Sequence, residues 1–139
     1  MAGPLYLDTS AILRVVLETG TTPALQERVA HAEVLITSRL SQVEAARAFV
    51  RLRLGGVPSE ARLSDAEREV TRVLARCELW ELTPAVCDLA CRVTPAMPLR
   101  ALDALHLATF LLARGRIQGL ELLTVDERLR QAAGVAYGD

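Results

Sequence analysis

Lysine and asparagine are missing from this chain, and all 16 of its basic residues are arginine. A Walker-type phosphate loop needs its lysine. Receiver domains of the response-regulator kind, which also set an acidic magnesium pocket on an α/β fold, normally need one too, so both readings fall. No Gly-x-Gly-x-x-Gly follows a strand, which removes support for a dinucleotide site. Codons for Lys and Asn begin with AA, so a GC-rich gene accounts for the gap without functional selection. Either way, the cationic side chains on offer are guanidiniums, which grip phosphate bidentately.

Long apolar runs are missing as well. None approaches the roughly 18 residues that would span a bilayer, and no basic stretch followed by an apolar segment opens the chain. The expectation is a soluble cytoplasmic protein with no membrane partner. Cysteine is scarce: Cys77, Cys87 and Cys91 are odd in number and match no disulfide framework, as in a reducing compartment. Cys87 and Cys91 share a helical face, but no further Cys or His completes a zinc site, so they are expected to be small buried apolar residues. The net charge of −1 excludes bulk basicity as a way of holding nucleic acid; a local positive groove would be needed.

What is present is the material of one compact domain, residues 1–139, with 51% hydrophobic residues. Leu5, Tyr6 and Leu7 predict a strand that ends at Asp8, and Ile12, Leu13, Val16 and Leu17 predict a helix directly after it. A second helix over 23–32 leads to a uniformly apolar strand over 34–37, suited to a parallel sheet. From residue 38 a long helix runs to the Gly55-Gly56 stop, with Leu40, Val43, Val50 and Leu54 expected on its buried stripe and Glu44, Arg47 and Arg51 on its other side. Ser64 and Glu67 read as a capping box opening the other arm of a helical hairpin, with Val70, Val73 and Leu74 inward.

Residues 79–82 predict the third strand. Thr83-Pro84 supplies a cap and a first-turn proline for a helix bearing Val86, Leu89, Ala90 and Val93, ended by Pro95 and Pro98. Residues 100–114 are apolar on nearly every side, which predicts a buried helix. A fourth strand spans 120–124, a short helix ends near Gly134, and Val135, Ala136 and Tyr137 are a candidate fifth strand. The alternation specifies an α/β class, a three-layer α/β/α sandwich around a parallel sheet of about five strands.

Four carboxylates stand out, each with an ordinary explanation. Asp8 and Asp126 sit where strand gives way to helix, so N-capping alone accounts for either. Glu44 lies three residues before Arg47, the spacing of an exposed ion pair. Asp103 is harder to dismiss, because burying an unpaired charge in so apolar a helix costs several kcal/mol; a place in the first turn, near the positive end of the helix dipole, offsets part of that. Geometry favours a common role. Asp8 and Asp126 follow parallel strands, whose carboxyl ends are where open α/β sheets bind ligands, and Glu44 and Asp103 can reach the same end. Four converging carboxylates repel one another unless a cation sits among them. With oxygen the only ligand atom, that cation would be hard, Mg2+ or Mn2+, the ions of phosphoryl chemistry.

Taken together, Leu7-Asp8-Thr9-Ser10 after the first strand, Glu44 on the long third helix, Leu102-Asp103-Ala104-Leu105-His106-Leu107-Ala108, and Thr124-Val125-Asp126 resemble the PIN-domain nucleases. In length and layout they resemble the VapC-like toxins of toxin–antitoxin pairs, over essentially the whole chain. The resemblance implies a five-stranded parallel sheet and Mg2+- or Mn2+-dependent endonucleolytic cleavage of RNA. It also implies inhibition by a cognate antitoxin, and a homodimer built with the antitoxin contact on the hairpin of residues 38–77. It makes Asp8, Glu44, Asp103 and Asp126 the catalytic, metal-holding quartet and Ser10 the hydroxyl that orients ligands beside Asp8, with Thr124 helping. Arg14, Arg47 and Arg100 are candidates to hold substrate phosphate, although Arg47 also suits a simple pair with Glu44. His106, one turn after Asp103, is within reach of that carboxylate, but packing is the expected role. His31 is expected at the surface. The alternatives are a PIN nuclease of RNA processing or DNA cleavage without an antitoxin, and a non-catalytic interaction module.

Overall fold

The computed structural model describes residues 3–18 and 22–137. Four short strands, β1 (Leu5–Leu7), β2 (Leu35–Ser38), β3 (Cys77–Trp80) and β4 (Glu121–Leu123), form one parallel sheet in the order β3-β2-β1-β4. Leu5 is in register with Leu35 on one side and with Glu121 on the other. Seven helices connect and cover the strands among the described residues: α1 (Thr9–Leu17), α2 (Pro23–His31), α3 (Arg39–Gly55), α4 (Glu60–Arg76), α5 (Pro84–Ala90), α6 (Ala101–Arg114) and α7 (Glu127–Tyr137).

The period-2 alternation of strand side chains divides the interior into two cores. Leu5, Leu7 and Leu35 pack with Ile12, Val29, Phe49, Leu63 and Val70 from α1 to α4. Tyr6 and Ile36 point the other way, onto Leu107 and Phe110 of α6 and Leu129 and Ala132 of α7. That is the expected three-layer sandwich. The chain builds outward from β1 through β2 to β3, then crosses back to lay β4 on the other side of β1. The strand order therefore reverses between β1 and β4, and the crevice at their carboxyl ends is the natural ligand position in such a sheet.

Several sequence expectations are corrected. The sheet has four strands among the described residues, not five, because Val135, Ala136 and Tyr137 continue α7. Leu129, Ala132 and Ala133 are fully buried at helical spacing, and that packing carries the helix through Gly134. Helix α4 opens four residues before Ser64: Ser59 is its cap, accepting from the Arg62 N–H, and Leu63 in the early helix is in the core. On α3 Leu40 is buried as expected, but the rest of the expected stripe faces outward, with Val43 54%, Val50 39% and Leu54 84% exposed, while Ser41, Ala45, Ala48 and Phe49 are buried. The small Ala45 and Ala48 let α1 and α4 approach that face closely, and close approach outweighs the bulk of valine and leucine elsewhere on the helix. Gly56 closes α3 in the left-handed conformation at φ +76°, as glycine after a helix does.

Cys87 and Cys91 are exposed on and just after α5, not buried as expected; only Cys77 is shielded. Burial pushes the Cys77 thiol up to about 11. Alkylation with iodoacetamide near pH 8, followed by mass spectrometry, is therefore expected to label Cys87 and Cys91 well before Cys77, because only thiolate reacts. Equal labelling of all three would contradict this placement.

Candidate active site

Asp8 is the fixed point of the crevice. It follows β1 directly, caps α1 by accepting from the Ala11 N–H at 3.0 Å, and is 4% exposed. Three more bonds hold it. The Ser10 hydroxyl lies 2.8 and 2.9 Å from its two oxygens, and the Thr124 hydroxyl donates to Oδ2 at 2.6 Å. Ser10 and Thr124 also meet each other at 3.1 Å, and the Val125 N–H donates to Ser10 at 3.2 Å, which stitches the end of β1 to the segment after β4. Burial raises the Asp8 carboxyl above its ordinary range even though the hydroxyl and amide bonds pull it down. Desolvation thus outweighs the bonds, and the charged form is held at a cost.

Thr124 also steadies a second carboxylate. Its oxygen accepts from the Asp126 N–H at 3.0 Å, while Asp126 caps α7 by accepting from the Arg128 and Leu129 N–H groups through Oδ1. Asp103 lies in the first turn of α6. Its carboxyl is raised first by burial, then by the charge of Asp126, with Asp8 and Glu44 adding to it. The four acidic side chains therefore share one electrostatic neighbourhood. Among the described residues no arginine pairs with any of them, and no three carboxylate, histidine or cysteine groups close on a single point as a preassembled metal centre.

Glu44 is held differently. It rises from α3 into a buried polar network, where Thr9 donates to Oε1 at 2.5 Å and His106 Nε2 lies 2.7 Å from the same oxygen. Burial raises its carboxyl, but the bonds from His106 and Thr9 outweigh that, with the charge of Arg51 adding to them, and hold it below the ordinary glutamate range. Beneath it, the Thr37 hydroxyl donates to the Leu7 carbonyl at 2.6 Å and bonds Ser41 at 2.7 Å, tying α3 to β1 and β2. His106 does not bond Asp103; its Nδ1 lies 2.9 Å from the Tyr6 hydroxyl. The packing role expected for it is thus incomplete. The signal was available in sequence: a histidine inside an apolar helix must find polar partners. The roles of Thr9 and Tyr6 are not legible in sequence because the side-chain contacts that define them span 32 to 100 residues.

The three arginine candidates divide. Arg100 stands exposed at the N-cap of α6, three residues before Asp103, at the acidic end. Arg14 lies in the last turn of α1, away from Asp8, where it pairs with Glu18 and donates to Thr22. Arg47 is exposed and shows no ion pair with Glu44 among the described residues. His31 is at the surface, its Nδ1 against the Glu27 carbonyl.

The fold is a parallel α/β/α sandwich with Asp8 and Asp126 following the two strands that flank its switch point, and the PIN domain model matches residues 5–135. The chain belongs to the PIN-domain family. Its relatives include ribonuclease VapC35 of Mycobacterium tuberculosis, 33% identical over 131 residues that cover 93% of this chain and 89% of that protein. Ribonuclease VapC46 of the same species is 31% identical over 129 residues, with the same coverage of each chain. Among solved structures, PAE2754 from Pyrobaculum aerophilum superposes with a TM-score of 0.67 at 25% identity, covering 98% of this chain and 83% of that one. A toxin–antitoxin complex from Klebsiella pneumoniae matches at TM-score 0.60 and 20% identity, over 88% of this chain and 86% of that one, which shows the shared fold.

Proposed function

We propose that this protein is a divalent-metal-dependent endoribonuclease and the toxin of a toxin–antitoxin pair. The observation that carries the proposal is Asp8: buried, clamped by Ser10 and Thr124, and placed at the switch point within the field of Asp103, Asp126 and Glu44. Two relatives sharing about a third of their residues over nearly the full length bear the name ribonuclease, which supports RNA as the substrate.

The residues fit a hard cation. Their donor atoms are all oxygen, their charges are mutually unfavourable, and among the described residues no arginine pairs with them. Asp8, Glu44, Asp103 and Asp126 would hold Mg2+ or Mn2+, which when bound lowers the pKa of water and offsets charge on a phosphodiester under attack. The chain's own work is positional. Ser10 and Thr124 fix the Asp8 carboxylate, Thr124 also fixes the start of α7 beside Asp126, and Arg100 stands where a guanidinium can hold the substrate backbone. The outward residues Val43, Val50, Leu54 and Val57 leave an uncovered apolar strip on the α3–α4 hairpin, and we assign the antitoxin contact and a homodimer contact to that hairpin. Among the described residues no helix is long and apolar enough to cross a membrane, in keeping with action on cytoplasmic RNA.

The test is cleavage of end-labelled total RNA by antitoxin-free protein in Mg2+, Mn2+ or EDTA. Discrete fragments that need the metal are expected. A folded protein that cuts no RNA under any of these conditions would overturn the assignment.

A further inference from the structure

We propose that His106 is a positioning residue for this site: it locks Oε1 of Glu44 and so leaves Oε2 as the oxygen available to a cation. The inference rests on the metal-dependent reading above and deepens it. His106 is 2% exposed and sits on α6, while Glu44 is on α3. The bond between them is thus a cross-link between the two layers, on either side of β1 and β2. Both hydrogen bonds to Glu44 arrive at the same atom, from Thr9 at 2.5 Å and from His106 Nε2 at 2.7 Å. Two donors on one oxygen fix the rotation of the carboxylate as well as its position.

The hydrogen-bond pattern also fixes the imidazole. A carboxylate only accepts, so Nε2 carries the hydrogen that meets Glu44, and Nδ1 is left to accept from the Tyr6 hydroxyl at 2.9 Å. Tyr6 is fully buried, with its hydroxyl directed at Nδ1. The ring planes of Tyr6 and His106 meet edge to face at 76°, and Tyr6 stacks likewise on Phe110. The imidazole is therefore held by hydrogen bonds at both nitrogens and by a ring contact, and it passes that order to Glu44. Groups that orient a metal ligand in this way change metal affinity by about 10- to 100-fold when removed.

Two substitutions separate positioning from packing. The side chain of His106→Gln can place a donor where Nε2 stands, whereas that of His106→Asn reaches only the Nδ1 position and loses Glu44. With metal-free protein and Mn2+ titrated by calorimetry, the affinity of H106N is expected to fall about 10- to 100-fold, while H106Q stays within a few-fold of wild type. The KM for RNA should be unchanged in both, with kcat of H106N recovering as Mn2+ is raised. If H106N binds Mn2+ as tightly as wild type, or if both variants lose affinity equally, positioning through Glu44 is overturned while the nuclease reading stands. A wild-type protein that binds no Mn2+ overturns both. A measurement independent of folding completes the set: nitrogen-15 NMR of the wild-type imidazole, without metal, should find the hydrogen on Nε2. A hydrogen found on Nδ1 alone would exclude the bond to Glu44.

Discussion

Asp8→Asn is expected to reduce RNA cleavage by about 10^3-fold or more while leaving the metal-free fold at least as stable as wild type. The catalytic loss follows from removing one charged ligand of the proposed cation. Charge stabilisation by a metal is worth several kcal/mol at the transition state, and each ~1.4 kcal/mol is tenfold in rate. Stability should move the other way. Asp8 is almost wholly buried, and burial raises its carboxyl despite four hydrogen bonds. Asparagine caps helices as well as aspartate, keeps an oxygen for the Ala11 N–H, and offers its amide to the Ser10 and Thr124 hydroxyls, which can turn to accept. Initial cleavage rates and melting curves in EDTA check both halves; a melting temperature lowered by many degrees would mean that Asp8 is chiefly a structural cap.

The same carboxylates set the pH response of the metal-free protein. Asp8 and Asp103 have raised folded-state values. Folding thus favours their protonated forms, and the stability they confer is complete below the unfolded value near 4 and is lost as pH rises through the folded values. Glu44 is lowered; its contribution is present above its unfolded value and is lost as pH falls through the folded one. In EDTA, wild-type stability should therefore decline from about pH 4 upward, and the decline should be shallower in the Asp8→Asn variant.

Much of this site was legible in the sequence because it is local. A strand followed at once by Asp8, a hydroxyl two residues later and another strand followed by Thr124-Val125-Asp126 are adjacent-residue patterns, and the parallel topology brings them together at the switch point. The contacts that went unread are non-local or depend on competition between faces. Periodicity alone placed Val43 and Val50 on the buried side of α3, whereas the approach of α1 and α4 selected the alanine face. A valine and an alanine after Gly134 suggested a strand, but three buried residues one turn earlier had already committed the segment to helix. His106 pairs with Glu44 rather than with the nearer Asp103, because α6 turns that side of the helix inward, toward Tyr6 and α3. Where a buried polar group has two candidate partners, sequence distance does not choose between them.

The second large effect is thermal. Mn2+ or Mg2+ in excess is expected to raise the melting temperature of the metal-stripped protein by roughly 10 °C. A ligand that binds only the folded state at about 100 times its Kd adds about 2.7 kcal/mol, and a domain of this size gains roughly 3 to 5 °C per kcal/mol. The gain has a definite origin here. Without a cation, Asp103 feels Asp126, Asp8 and Glu44 as uncompensated charge, so a divalent ion relieves repulsion within the folded state that the unfolded chain never experiences. The shift should vanish in Asp8→Asn and shrink in Asp103→Asn, and it should survive 0.5 M NaCl, since a coordinated ion is screened far less than a diffuse counterion cloud. Differential scanning fluorimetry across an Mn2+ titration measures it. A shift that persists in both variants would place the ion elsewhere and remove the quartet's claim to it.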